Sequence, residues 1–199
     1  AIPRWGHQDD PLAAAVAAGQ IRVPIDEDYP NARMVQMDGL DRIVLPGART
    51  VFPEGAPDLP GVGGAYVLPQ GTRLTDVRVE NASFRSMGRY DLATVRSVPI
   101  GQEPGEYLYS DAWLEGGSFP SSPVVDFHTG SKTAFVIGSY TLSPFRYNTD
   151  NGDLEVLVEG ELVLEYGSSE APRLNLSSNQ VNTARAAVES MVANPQWTF

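Results

Sequence analysis

The sequence TAFVIGSYTLSPFRYNTDNGDLEVLVEGELVLEY, residues 133–166, sets two long β-patterned runs on either side of a polar turn. In the second run Leu154, Val156, Val158, Leu162, Leu164 and Tyr166 share one parity, while Glu155, Glu159, Glu161 and Glu165 share the other. Successive side chains of a strand point to opposite faces, so this alternation predicts a strand with one buried and one wet side. Between the runs, Thr149-Asp150-Asn151-Gly152 predicts a tight hairpin turn. The stretch predicts a hairpin and, by itself, only a fold class.

Working outward, residues 65–68 and 74–80 read as a second hairpin about Pro69-Gln70-Gly71-Thr72, with Val77 and Val79 inward and Asp76, Arg78 and Glu80 outward. Residues 21–25, 34–37, 42–45 and 92–98 read as further short strands, with the acidic Asp26-Glu27-Asp28 after the first. The segment 53–61, PEGAPDLPG, holds too many prolines for a ladder and is expected to cross the surface from one sheet to another. Residues 101–123, GQEPGEYLYSDAWLEGGSFPSSP, break the strand rhythm and carry Tyr107, Tyr109, Trp113 and Phe119 among glycines, prolines and acids. A long aromatic loop of this kind is either functional or packed over a sheet edge.

At the ends the pattern changes. Asp10-Pro11 followed by an alanine-rich run and Gly19 predicts an N-terminal arm or short helix over 1–20. After Tyr166 the chain turns polar, and Ser177 or Ser178 caps an expected helix over about 179–193, with Val181, Ala184, Val188, Met191 and Val192 at helical spacing and Asn194-Pro195 as its stop. The expected organisation is an arm (1–20), a β-sandwich domain (21–172), and a C-terminal helix with a junction toward a following domain (173–199). The fold class is all-β.

Composition bounds the function. The 199 residues hold 14 basic and 25 acidic side chains, a formal charge of −11 that repels nucleic acid and anionic membrane surfaces. Only Lys132 is a lysine. The absence of cysteine removes disulfides, thiolate catalysis and cysteine-ligated zinc. No run approaches the roughly 18 to 20 apolar residues that a spanning helix needs. A start at Ala1 fits a chain trimmed after a signal peptide, so export is expected.

Catalytic chemistry finds little purchase. His7 and His128 lack a serine and carboxylate constellation, although Ser121, Ser122 and Asp126 lie near His128 in sequence. Asp150, Asn151, Asp153 and Glu155 offer oxygen ligands at short spacing, but the pattern misses the calcium-loop spacing and reads as a turn followed by an acidic strand face. No catalytic residue, metal or cofactor is expected.

Gly55-Ala56-Pro57-Asp58-Leu59-Pro60 is followed by Tyr66-Val67-Leu68-Pro69-Gln70-Gly71, then Ser143-Pro144-Phe145-Arg146-Tyr147-Asn148 with Gly152-Asp153-Leu154, and this series of short motifs resembles the N-terminal propeptide domain of gingipain-like cysteine peptidases. Met191-Val192-Ala193-Asn194-Pro195 resembles the junction before a catalytic domain, and the whole match spans about residues 40–195. The resemblance implies a jelly-roll-like antiparallel β-sandwich in an exported bacterial precursor, secreted or in the cell envelope. It implies a non-enzymatic domain that assists folding and covers the active-site cleft of the caspase-like peptidase domain in the same precursor.

In that family a basic residue on a loop enters the specificity pocket. The 101–123 loop, with Tyr107, Tyr109, Asp111, Trp113 and Phe119, is the expected contact, yet it holds no arginine or lysine. Lys132, or Arg85 or Arg89 of the turn expected there, is the alternative basic contact; otherwise the block is steric. A second reading takes Trp113, Tyr107 and Tyr109 as a stacking platform for sugar rings, in a carbohydrate-binding or adhesin-like module.

Overall fold

The structure is a computed structural model and describes residues 19–95, 116–169 and 177–198. The strands are β1 (Gln20–Asp26), β2 (Arg33–Met37), β3 (Leu40–Val44), β4 (Arg49–Thr50), β5 (Pro60–Leu68) and β6 (Thr72–Arg89). They continue with β7 (Ser118–Phe119), β8 (Val124–Lys132), β9 (Phe135–Leu142), β10 (Phe145–Asn148) and β11 (Asp153–Ser168). Helix α1 spans Ser178–Glu189. The expected arm falls almost wholly outside the described residues.

β11 is the seam of one sheet. β6 pairs with it from Asp153 to Ser168, while β10 and then β1 share its opposite edge and β7 extends β10. The second sheet runs β4-β5-β9-β8, and β2 and β3 form a separate hairpin. All strand pairs are antiparallel, as the sandwich reading expects.

Between the sheets lies an apolar cluster in which Ile21, Val23 and Ile25 of β1 and Leu157, Leu162 and Leu164 of β11 meet Tyr66, Leu68, Tyr140 and Leu142. A second cluster joins Tyr29, Ile43, Leu59, Leu92, Phe145, Leu154 and Val156. The single buried face read for β11 is therefore divided. A register shift between Leu157 and Glu159 places an extra residue in β11, and one extra residue inverts the alternation. Leu157 consequently joins Leu162 and Leu164, whereas Leu154 and Val156 face the second cluster.

The wet face of β11 is ionic. Arg22 pairs with Glu80 at 2.9 Å and Glu161 at 2.6 Å, and Arg78 pairs with Asp76, Glu80 and Glu165. Hydrogen bonds from Arg78 and then Arg22 hold the Glu80 carboxyl below its ordinary range. The predicted outward set Asp76, Arg78 and Glu80, and inward Val77 and Val79, are where the alternation put them.

Five sequence expectations are corrected. The turn at 69–72 forms, with Thr72 donating from its backbone N to the Pro69 carbonyl at 3.2 Å, but it joins β5 and β6 of opposite sheets rather than a hairpin. The first run of the opening stretch likewise divides. β9 ends at Leu142, and the chain crosses at Ser143-Pro144 so that only β10 pairs with β11. Ser143 is 1% exposed and its hydroxyl donates to the Phe145 carbonyl at 2.9 Å, which satisfies the crossing point.

The proline-rich segment lies inside the protein. Ala56, Asp58 and Leu59 are buried because residues 91–95 run across them, with Asp58 N donating to Ala93 O and Val95 N to Ala56 O. The predicted strand at 92–98 is, among described residues, a pair of isolated bridges from Leu92 to Asp41 and from Thr94 to Pro57. Arg85 and Arg89 belong to the strand β6 rather than a turn.

Helix α1 begins where the sequence reading put it but ends at Glu189, with Ser190 as its C-cap, four residues short of the expected 193, so Met191 and Val192 lie beyond it. Ser177 is the N-cap and shares a reciprocal capping box with Gln180, which satisfies orphan donors of the first turn. Ala184 and Val188 press on Val67, Phe135 and Ile137, on the outer face of β5 and β9.

Candidate functional site

Tyr107, Tyr109, Asp111 and Trp113 lie outside the described residues. What the structure defines is how the chain leaves for the 96–115 stretch and returns from it. The turn after β10 does this work. Its own shape comes from Asn148, whose side-chain oxygen accepts from the backbone N–H groups of Asp150 at 3.0 Å and Asn151 at 3.2 Å. Gly152 then takes φ +76°, a left-handed conformation glycine adopts without penalty.

This turn grips both sides. On the outgoing side, Tyr90 N donates to the Gly152 carbonyl at 3.0 Å, and the Tyr147 hydroxyl donates to the Tyr90 carbonyl at 2.9 Å. Burial pushes the Tyr147 phenol upward, further from ionisation. On the returning side, Thr149 donates from backbone N and hydroxyl to the Gly117 carbonyl, at 3.0 and 3.2 Å. Asp150 Oδ2 accepts from Gly117 N at 2.9 Å, and β7 pairs with Tyr147 and Asn148.

The feet are also joined farther in. Val95 N bonds the Ala56 carbonyl and Gly55 N bonds the Val95 carbonyl. Phe119 packs against Phe52, ring centroids 4.9 Å apart, within the second cluster. The stretch 96–115 therefore departs from and returns to one end of the sandwich.

The basic candidates are separated. Arg89 is exposed, opposite Asp153 in the ladder, beside this turn. Arg85 is tied to Asp28 at 2.5 Å. Lys132 closes β8, eight residue steps from Val124, or about 26 Å at the strand rise. It lies at the far end of its strand from the Phe119 foot, next to Met191, whose sulfur is 3.9 Å from the lysine nitrogen. The structure thus brings Phe119 and Arg89 to the loop's feet and leaves Lys132 away from them. Sequence reasoning missed the clamp residues Tyr147, Thr149 and Asp150, because a turn motif does not name the segments it will hold.

The remaining candidates have structural partners. Asp153 accepts from the Ser86 hydroxyl at 2.6 Å, and Glu155 pairs with Arg146 at 2.5 Å. Among the described residues no three His, Cys, Asp or Glu side chains are grouped to hold a metal. His128 is exposed on β8, opposite Ser139 in the ladder. No helix among the described residues is long and apolar enough to cross a membrane.

No family model matches the chain, and no curated protein matches it. Solved structures do. A complex of the pro- and mature domains of RgpB from Porphyromonas gingivalis contains a chain matched at TM-score 0.67 and 16% identity, over 89% of this chain and 92% of that one. A structure addressing the zymogenic latency of gingipain K from the same organism matches at TM-score 0.58 and 18% identity, over 76% of this chain and 88% of that one. Sequence motifs and three-dimensional likeness agree on one architecture: the chain has a gingipain propeptide-like fold.

Proposed function

We propose that this chain is the inhibitory and fold-assisting propeptide of an exported gingipain-like cysteine peptidase, and that it covers the active-site cleft of the catalytic domain of the same precursor. The reading is supported by a fold shared with a structure that pairs a prodomain with its mature domain. The observation that carries it furthest is the clamp. Hydrogen bonds of Tyr90 and of Gly117 converge on one turn, so the points from which the aromatic stretch departs and to which it returns lie at a single end of the sandwich.

In this reading Tyr107, Tyr109, Asp111, Trp113 and Phe119 make the contact with the peptidase. Arg89 is the favoured basic group, since it stands beside the loop's feet, and the domain itself performs no catalysis. The test is direct. Adding the folded chain to its peptidase domain is expected to slow turnover of a small peptide substrate in a saturable way, with Trp113→Ala weakening the inhibition by at least tenfold. Undiminished turnover in a large excess of folded protein would sink the proposal.

A further inference from the structure

The hairpin of β2 and β3 turns an apolar face towards solvent. Directly opposite residues of an antiparallel pair share a face, and the register sets Arg33 against Val44, Val35 against Arg42 and Met37 against Leu40. The other face holds Met34 and Ile43, which pack into the second cluster. These two fasten the hairpin, and the two-residue turn Asp38-Gly39, at φ +55° and +81°, closes it. The fold therefore does not require the outer face to be apolar. Yet among the described residues the exposed large apolar side chains are Val35, Met37, Val44 and Met191, and the first three stand together on that face.

Two arginines flank the apolar row. Arg42 is tied to Asp58, and its guanidinium approaches the Met37 sulfur at 3.8 Å. Arg33 is exposed and makes no ion pair among the described residues. On a chain of formal charge −11 it is a local positive charge without compensation. A single exposed apolar residue needs no explanation, whereas a cluster rimmed by polar groups marks an interaction surface. Methionine and arginine are also residues that interface cores favour.

Position indicates the partner. β3 joins the segment that leaves for 96–115: Asp41 N donates to Asp91 O and Ala93 N to Asp41 O, both at 2.8 Å, and Asp41 Oδ2 accepts from Asp91 N at 3.0 Å. The bridge between Asp41 and Leu92 is parallel, so the chain runs on from Leu92 in the direction that β3 takes towards Val44. β2 lies two strand spacings, about 10 Å, from that outgoing segment. A second copy of the chain fits the patch badly. Edge pairing of β2 with β2 leaves the apolar face uncovered, face-to-face stacking gathers both copies' Arg33 and Arg42 in one interface, and each copy brings a charge of −11. The same net charge repels an anionic bilayer.

We propose that the outer face of the hairpin is a second docking surface for the peptidase domain of the same precursor, which meets it with an apolar patch carrying a carboxylate opposite Arg33. The inference rests on the propeptide reading and extends the contact beyond the 101–123 loop. Affinity then comes from hairpin and loop together.

The test uses the full chain and the peptidase domain with its cysteine nucleophile replaced, so that neither is cut. A chain carrying both Val35→Thr and Met37→Gln is expected to keep its Tm within about 2 °C and to bind about tenfold more weakly. Arg33→Glu is expected to weaken binding about tenfold at low salt and less at high salt. In the unsubstituted chain, oxidation of Met37 by dilute peroxide is expected to slow about fivefold when the peptidase domain is bound, a reading that depends on no variant's folding. Full-rate oxidation of Met37 in the complex, or unaltered affinity in both variants, would overturn the docking surface while the propeptide reading stands. A chain that does not bind the domain at all overturns both. Self-association that disappears in the double variant would assign the face to a second copy, and vesicle binding that disappears in it would assign the face to lipid; either result overturns the proposal.

Discussion

Asp58 shows at the scale of one residue how burial changes what a charge is worth. Its side chain is 7% exposed, held by Arg42 at 2.5 Å and by the Thr50 hydroxyl at 3.0 Å. Removing the partner of a buried carboxylate costs more than the pair contributes, because the remaining charge is left without its counterpart. Arg42 is itself 40% exposed, which admits water and moderates the loss. Arg42→Ala is expected to cost about 2 kcal/mol in urea denaturation. Arg85→Ala, which breaks an ion pair whose members are 56% and 72% exposed, is expected to cost less than about 0.5 kcal/mol. Equal costs would refute the argument. The sequence marks Asp58 only as an acid between prolines, since the groups that bury it come from residues 91–95 and from β3.

Elements were read more reliably than their partners. The turns at 69–72 and 149–152, the capped helix and most strands are legible, because period-two alternation and turn chemistry are local. Which sheet a strand enters is not local. Leu68 and Leu74 face the same inter-sheet core whether their strands pair side by side or part into opposite layers, so the pattern is identical for both. The two neighbouring glycines of β5 show what the sheet then requires. A Cβ on Gly64 would lie 2.4 to 2.6 Å from the Tyr140 ring and hydroxyl, whereas one on Gly63 would meet only the Tyr140 carbonyl at 3.5 Å. Gly64→Ala is therefore expected to destabilise by about 1 to 3 kcal/mol through overpacking, with Gly63→Ala nearly neutral, both read from denaturation midpoints. The candidate site was legible in part: its turn was visible, but the clamp on 90 and 117 was not, as it joins segments far apart in sequence.

Across the whole molecule the two apolar clusters share a sensitivity to alkali. Burial raises the phenols of Tyr66 and Tyr140 in the inter-sheet cluster and of Tyr29 in the second. A folded-state pKa above the unfolded value means that the folded protein holds its protons more tightly. The associated stability is complete below the unfolded phenol value and is lost as pH rises beyond about 10. Each phenol contributes a slope approaching about 1.4 kcal/mol per pH unit in that window. The urea midpoint is expected to fall steeply from about pH 10 upward, and Tyr140→Phe is expected to shallow that fall. A midpoint flat through the same range would contradict the burial of the three rings. The seam of the first sheet carries a consequence in time. Gln20 and Glu165 face each other across β1 and β11 although 145 residues separate them. At ordinary synthesis rates β1 waits about 7 to 30 s before its partner exists. During that interval an apolar strand has no partner on the ribosome, and whatever shields it governs how much of this domain is made successfully.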